Sequence, residues 1–341
     1  MTTTENSIDE PGRIAGFWRR LFALVLDSVV LGSFGLCLGS FLYDYLVGIG
    51  AWGRVIGFAI ALAYFGAMNS CVSCGQTIGK MAMKVRAVSA SGTPLSVASS
   101  FFRSFILCVP FFLNGAPIDA QLLHSWLLWV LGILVFGVGL SIAYLFLFNR
   151  KTRQSLHDLA VGSYVVRVGG EPVALPAPGI WRGHLAVVVA LVALAAGMPI
   201  FTGRLAETEP FVSILSLQKA IANEPGIRNA RVQVGASFYS SPDKGSTSSN
   251  YLSTSAIIDS WDVDREALAD RIAQITLVTY EPANQKNFIT LSLSHGYDIG
   301  IASAWKSQNF SYSPAEWRER LALKPSRAVQ ETLRNKAVQR P

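Results

Sequence analysis

The hydrophobic pattern divides the chain near residue 204. Before that point, long uncharged apolar runs alternate with short polar segments, whereas Ser, Asn, Asp and charged residues dominate afterwards. A helix needs roughly 20 apolar residues to cross a hydrocarbon core of about 30 Å. The pattern therefore predicts a polytopic α-helical membrane bundle of about five transmembrane helices, followed by a small α+β domain. The five apolar runs are 21–43, 55–68, 101–113, 126–148 and 185–201.

The first and third apolar runs differ from ordinary transmembrane helices in length or content. The first is too long for a signal peptide and has no small-residue cleavage site after it, so it is read as an uncleaved span. The third is short, contains Arg103 near its start and has Pro110 inside it. Either it crosses the membrane with Arg103 reaching the interface and Pro110 kinking the helix, or it lies flat as an amphipathic helix.

Basic residues decide between these alternatives. Cytoplasmic loops are enriched in Lys and Arg, and the two intervening loops, 44–54 and 114–125, hold a single basic residue between them. If all the basic clusters are cytoplasmic, the third run must span or re-enter, and five crossings place the C-terminal domain outside. The three clusters are Arg13, Arg19 and Arg20; Lys80, Lys84 and Arg86; and Arg150, Lys151, Arg153, Arg167 and Arg182.

Beyond residue 204 the pattern changes from long apolar runs to alternating strands and amphipathic helices. The predicted order αββαββα suggests a small sheet backed by helices. The elements are a helix at about 210–222, strands at 230–240 and 251–259, a helix opening at 262–264 and ending near 279, strands at 288–294 and 299–306, and a helix at 314–322.

These patterns together predict six segments. The first is a disordered tail, and the last is a basic tail that we expect to be frayed. A Gly- and Pro-rich linker separates a four-helix unit from a fifth helix. The segments are the tail 1–12, the four-helix domain 13–168, the cytoplasmic linker 169–183, the fifth helix 184–203, the extracytoplasmic domain 204–324 and the tail 325–341.

Composition and charge agree with a membrane protein. The chain is 51% hydrophobic and only 15% charged, and its net charge is +7. Residues 1–203 contain 13 Lys and Arg against 8 Asp and Glu, so most of the excess flanks the apolar runs, and we expect no nucleic-acid partner. Cys71 and Cys74 form a lone Cys-x-x-Cys, which suits a redox pair or half of a zinc site; with no second pair in the sequence, we read them as chance small residues at a membrane boundary. We therefore predict no metal and no cofactor.

Asp27 is the first candidate for chemistry, because a carboxylate inside an apolar helix is costly unless it faces a partner or water. Arg20 lies on the same helix face, about 10.5 Å away along the axis, too far for direct pairing. Asp158 is a candidate distant partner for Arg20. These residues stabilise helix packing through polar contacts, form an ion or proton relay, or have a substrate-binding or regulatory role.

The segment around Asp158 also has two interpretations. Its basic residues suit lipid headgroups, and Thr152 is a candidate cap for a short helix. His157 next to Asp158 resembles an acid/base pair, although neighbouring helical positions do not face each other. Lys80 is read as part of a cytoplasmic turn near anionic lipid, because the sequence 75–80 lacks the spacing of a phosphate loop.

Three blocks carry a family resemblance. Residues 15–27 read Ala-Gly-Phe-Trp-Arg-Arg-Leu-Phe-Ala-Leu-Val-Leu-Asp, residues 75–80 read Gly-Gln-Thr-Ile-Gly-Lys, and residues 155–163 read Ser-Leu-His-Asp-Leu-Ala-Val-Gly-Ser. As an ordered set they resemble the RDD family of bacterial membrane proteins, over residues 13–168. The family is named for one arginine and two aspartates, which the resemblance places at Arg20, Asp27 and Asp158. It implies transport, with sodium/proton antiport suggested for some members.

The expected function follows from the residue patterns and from the family resemblance. We predict a multi-pass protein of the bacterial cytoplasmic (inner) membrane with a cytoplasmic N-terminus. It is expected to transport a small ion or solute, with cation/proton exchange as one form of that transport. We predict no enzymatic activity. The predicted polar core is Arg20, Asp27 and Asp158, supported by Lys80, Arg153 and His157. The alternative is a non-catalytic assembly or sensing protein whose outer domain binds a cell-envelope partner, or a second copy of the chain.

Overall fold

The computed structural model describes residues 14–115, 125–169, 175–176, 180–241 and 245–323. Contacts divide the chain into two units: unit 1 comprises Met1–Gly203 with Tyr297–Ala304, and unit 2 comprises Arg204–Gly296 with Trp305–Pro341. The predicted tails, 1–12 and 325–341, lie outside the described residues, as do residues 170–174 and 177–179 of the predicted linker.

Unit 1 contains four helices that are long and apolar enough to cross a membrane, which confirms the predicted helical membrane bundle at this coarser level. The second is built from two helices joined by a short 3-10 turn, and the third contains a π-helical turn, Ile133–Val138. The four are α1 (Phe17–Phe41); α2 (Tyr43–Ile49) with α3 (Gly53–Met68); α6 (Trp126–Gly132) with α7 (Gly139–Phe148); and α9 (Arg182–Ala206).

The third predicted run forms a shorter helix, Val97–Leu113 (α5), of 17 residues. Its start is fixed by Ser96, whose hydroxyl accepts a hydrogen bond from the Ser99 amide at 3.2 Å. Pro110 lies inside the helix, and the chain leaves the helix at Asn114. Unlike the four longer helices, α5 falls short of the roughly 20 residues that a straight span requires.

A small antiparallel sheet joins three distant parts of unit 1. Strand β1 (Val85–Val88) pairs with β2 (Tyr164–Arg167), and Ile14 forms an isolated bridge with Val166. Two one-turn helices flank these strands in sequence, α4 (Ile78–Ala82) and α8 (Leu156–Ala160). The segments that carry the three basic clusters therefore meet at one place in unit 1.

Unit 2 is a four-stranded sheet with helices, as the sequence predicts. The strand order is β3-β4-β5-β6; β3 and β4 pair antiparallel, whereas β4 and β5 pair parallel, which requires the crossover that α11 provides. Its apolar core includes Leu252, Ile289 and Trp317, all fully buried. The elements are α10 (Phe211–Ala222), β3 (Ile227–Ser241), β4 (Gly245–Ile258), α11 (Arg265–Thr279), β5 (Phe288–Asp298), β6 (Ser303–Tyr312) and α12 (Pro314–Leu323).

One predicted strand is misplaced. The sequence predicts a strand at 299–306, but β5 continues to Asp298 and β6 begins only at Ser303. Gly300 adopts a φ of +79°, in the left-handed region, and its amide donates a 2.7 Å hydrogen bond to the Asp298 carboxylate. This local turn reverses the chain where apolar residues suggested a strand.

Candidate functional site

The first half of the candidate site is a buried carboxylate shared by two arginines. Asp158 lies in α8, where its carboxylate accepts a hydrogen bond from the Ser155 amide at 3.1 Å as part of a capping box. From α1, Arg20 Nη2 donates to Asp158 Oδ2 at 2.9 Å, and from α5, Arg103 donates to Oδ1 at 2.7 and 2.9 Å. Ser163 Oγ donates to Oδ1 at 3.1 Å. The predicted pairing of Arg20 with Asp158 is present.

Both arginines and the carboxylate are buried, so the electrostatic cost of this centre is high. Burial raises the pKa of Asp158, but the charges of Arg103 and Arg20 outweigh it and hold that pKa far below its ordinary value. The carboxylate is therefore ionised at any physiological pH. Its single negative charge balances only one of the two guanidinium groups, so the centre has a net positive charge.

Arg103 corrects the sequence interpretation of the third run. We expected its side chain to reach the membrane interface or a lipid surface, but it is only 4% exposed and points at Asp158. A guanidinium group within reach of a carboxylate forms charge-assisted hydrogen bonds of defined geometry with it, which contacts with water or lipid headgroups do not match. Arg103 therefore belongs to the polar core.

His157 lies closer to Asp158 than helical spacing suggested. Its Nε2 is 3.6 Å from Asp158 Oδ1, because α8 is a single turn and the Asp158 side chain folds back to the helix start. Burial lowers the pKa of His157 to about 3, against the opposing pull of Asp158. The imidazole is thus neutral, and its buried Nδ1 has no hydrogen-bond partner within the described part of the chain.

Arg153 contributes through its backbone. It has a φ of +53°, and its carbonyl oxygen accepts a hydrogen bond from Arg20 Nη1. The Arg20 guanidinium also lies 5.0 Å from the centre of the Phe146 ring, a cation–π contact. Thr152 is not a helix cap, since Ser155 has that role; its hydroxyl instead accepts a hydrogen bond from Asn149 at 2.9 Å.

The second half of the site surrounds Asp27, which is 1% exposed in α1. Its carboxylate accepts hydrogen bonds from the Tyr64 hydroxyl at 2.7 Å, the Thr77 hydroxyl at 2.6 Å and the Gly79 amide at 2.8 Å. No basic side chain of the described residues pairs with it, and Arg20 pairs with Asp158 instead. Neutral donors alone satisfy this charge.

Helix α4 lies directly against α1 at this point. A Cβ on Gly79 would stand 2.1 Å from the Ala23 carbonyl oxygen, so only glycine permits the approach that brings the Gly79 amide to Asp27. Lys80 follows and donates through Nζ to the Asn69 side-chain oxygen. The interpretation of Lys80 as a lipid-facing residue is therefore wrong, because it faces the interior of unit 1.

The two halves meet at one cavity of about 320 Å³. Apolar side chains of α1, α3, α5 and α7 supply most of its wall. Its polar and charged lining is Arg20, Asp27, Asn69, Lys80, Arg103 and His157. The predicted core residues Arg20 and Asp27 thus line the cavity together, while Asp158 lies behind the two arginines. Arg153 is not among its lining residues.

Sequence reasoning missed several members of the site. Arg103 was visible as a charge in an apolar run, the same signal that singled out Asp27. Tyr64 and Asn69 gave no signal of their own, because a single polar residue near the end of an apolar helix is common. Thr77 was part of the Gly-Gln-Thr-Ile-Gly-Lys block, but only the fold brings that block to Asp27.

The two cysteines near this block form no further centre. Cys71 and Cys74 are free and exposed, and Cys74 has a left-handed backbone at φ +54°. Among the described residues, no group of three or more His, Cys, Asp or Glu side chains is arranged to hold a metal ion.

Comparison with known proteins gives one match. Residues 14–162 match the family model described as RDD family. No curated protein and no solved structure matches the chain. The matched region contains the polar residues of the cavity and ends shortly before β2, while α9 and unit 2 lie outside it.

Proposed function

Because residues 14–162 form an RDD-family domain, we propose that this membrane protein transports a small ion or solute through unit 1, and that it is not an enzyme. One observation carries the proposal: ionisable side chains from several elements line one cavity in a unit whose long helices are apolar. Ionisable residues within membrane bundles are costly and usually mark ion or substrate pathways.

Asp27 is the residue best placed to exchange with a transported species. Only neutral donors contact its carboxylate among the described residues, whereas two arginines already hold Asp158. We assign Arg20, Arg103 and Asp158 the role of a fixed charged wall beside it.

The bilayer location follows from the same evidence. We infer that unit 1 lies in the bacterial cytoplasmic membrane with the basic segments near Ile14, β1 and β2 in the cytoplasm, as the positive-inside rule requires. Their convergence on one small sheet supports placing them on one side. With α5 entering the membrane, unit 2 is then extracytoplasmic.

The test is ion flux in vesicles containing the full chain. We expect Asp27→Asn to lower the flux at least about tenfold, equivalent to about 1.4 kcal/mol at the barrier. The substrate is identified by imposing sodium, potassium, chloride or phosphate gradients in turn and recording internal pH with a trapped dye. Asp44→Asn, which neutralises an exposed carboxylate in α2, is the matched control and retains the flux.

Unchanged flux in Asp27→Asn, with the variant eluting as a folded protein, would contradict this proposal. So would the absence of flux under every gradient for the unmodified chain.

A second candidate is a binding role for unit 2, towards a cell-envelope protein or another copy of the chain. The observation that favours it is that large apolar side chains lie exposed on both edge strands, Phe238 on β3 and Trp305 on β6. Exposed edges are common sites of partner binding. Loss of flux in Asp27→Asn argues against this candidate as the main function, because a bundle that only anchors unit 2 has no use for Asp27.

A further inference from the structure

The charges around the cavity do not balance. Three basic side chains line it, Arg20, Lys80 and Arg103, whereas the carboxylates at or behind its wall are Asp27 and Asp158. Asp158 is shared by both arginines, and neutral donors satisfy Asp27. With every group ionised, the cavity has one positive charge in excess.

Among the described residues, Lys80 is the basic member of this lining that pairs with no carboxylate. The described residues include no carboxylate in contact with its ammonium group, which donates instead to the neutral Asn69 side chain. The orientation of that amide is fixed, since Asn69 Nδ2 donates to the Phe65 carbonyl at 2.8 Å and leaves Oδ1 for Lys80. The Lys80 side chain is only partly buried and forms part of the cavity wall, so a molecule in the cavity can contact it.

We propose that the cavity binds a small oxyanion, a carboxylate or phosphate group, against Lys80, and that a proton from solvent enters with it and resides on Lys80 Nζ. The proton is the only atom transferred, and the anion's negative charge matches the ammonium charge it creates. The inference rests on the proposed transport function and specifies its substrate class. Once Lys80 is protonated the cavity has an excess positive charge, which an anion balances and a cation would increase.

His157 is a neutral group at this place. It lines the cavity, its side chain is more than nine-tenths buried, and its Nδ1 lacks a partner in the described ranges. Its Nε2 lies 3.6 Å from Asp158 Oδ1, which favours the neutral tautomer with the proton on Nε2, so the ring contributes no charge to the cavity.

The charged groups around Lys80 define its pH behaviour. Burial lowers the pKa of Lys80 well below its ordinary value; Arg103 and Arg20 lower it further, and Asp158 and Asp27 oppose them. An added anion raises that pKa, because it acts in the same direction as the two carboxylates. Protonation and anion binding therefore favour each other, and anion affinity falls as the pH rises, by at most tenfold per pH unit.

The test is equilibrium binding of inorganic phosphate and of acetate to the purified full chain, by calorimetry in two buffers of different ionisation enthalpy. We expect binding with uptake of up to about one proton per anion. Lys80→Met lowers the affinity at least about tenfold and removes the proton uptake. Lys80→Arg keeps the binding without proton uptake, because arginine stays charged. Lys151→Met, at an exposed lysine, changes neither.

A separate arm distinguishes the source of the anion. Delipidated protein is titrated with a short-chain phosphatidic acid: if this lipid binds through Lys80 and free phosphate does not, the site takes a headgroup phosphate, and the proposal stands with that source. No binding of any of the three probes, binding unaffected by Lys80→Met, or sodium binding in their place would overturn it. Anion binding without vesicle flux would contradict the transport proposal alone.

Discussion

At the scale of single residues, the decisive feature is one carboxylate between two buried guanidinium groups. Removing one member of a buried charged cluster costs more than the cluster contributes, because the remaining charges lose their partner in a poorly solvated place. Asp158 is the member whose loss leaves two charges unpaired. Arg20 and Arg103 each still have a carboxylate when the other arginine is removed.

We therefore expect Asp158→Asn to lower the stability of unit 1 by about 3–5 kcal/mol, measured by thermal unfolding in detergent. Adding Arg103→Gln to that variant should restore part of the loss, since one unpaired charge disappears. Asp44→Asn is the control and stays within about 0.5 kcal/mol of the unmodified chain. Equal stability of Asp158→Asn and Asp44→Asn would show that the three charges are not coupled.

The residue scale also marks the limit of sequence reasoning. Arg20, Asp27 and Asp158 were predictable because each is an ionisable group in or beside an apolar run, and the family blocks singled out the same three. Arg103 was misjudged because a long side chain near a helix end has an easier solution, reaching the interface. Choosing between the two requires knowing that Asp158 lies opposite, and that contact joins residues 55 positions apart.

At the scale of elements, the position of α4 depends on a glycine. An alanine at residue 79 would place its Cβ 2.1 Å from the Ala23 carbonyl and 2.9 Å from the Asp27 carboxylate, so α4 must move away from α1. We expect Gly79→Ala to destabilise unit 1 by about 1–3 kcal/mol, as overpacking does, and to reduce the flux through loss of the Gly79 donor.

Gly197→Ala provides the matched comparison. Gly197 lies in α9 with no atom within 4 Å of its added Cβ, and alanine is favoured over glycine in a helix by about 0.5–1 kcal/mol. That variant should be as stable as the unmodified chain or slightly more so. If both variants behaved alike in thermal unfolding, the close approach of α4 to α1 would not matter for stability.

Elements with a strong local signal were predicted well. Helix α11 begins where Asp264 caps it, with the Ala267 amide donating to its carboxylate at 3.0 Å, and α10 and α12 lie close to their predicted ranges. The prediction of a strand at 299–306 was wrong because the alternating apolar residues continue through the turn between β5 and β6. The Asp298–Gly300 pair was the available signal, but the apolar neighbours outweighed it.

At the scale of the whole molecule, the orientation in the membrane is testable with cysteines placed in each half. In a background without the native cysteines, Asn250→Cys on unit 2 should react with an impermeant maleimide on intact cells. Arg167→Cys in β2 should react only after lysis, since the basic segments are expected inside. Labelling of residue 167 on intact cells, or failure at residue 250, would reverse the proposed topology.

The bridge between Ile14 and Val166 has a consequence for how such proteins arise. It joins the first described residue of unit 1 to a strand that lies just beyond the family match, so the chain enters and leaves this region at neighbouring points. Neighbouring ends allow a domain to be inserted, fused or exchanged with little disturbance. The region is thus suited to fusion with other segments, and α9 with unit 2 is one such addition at its C-terminal end.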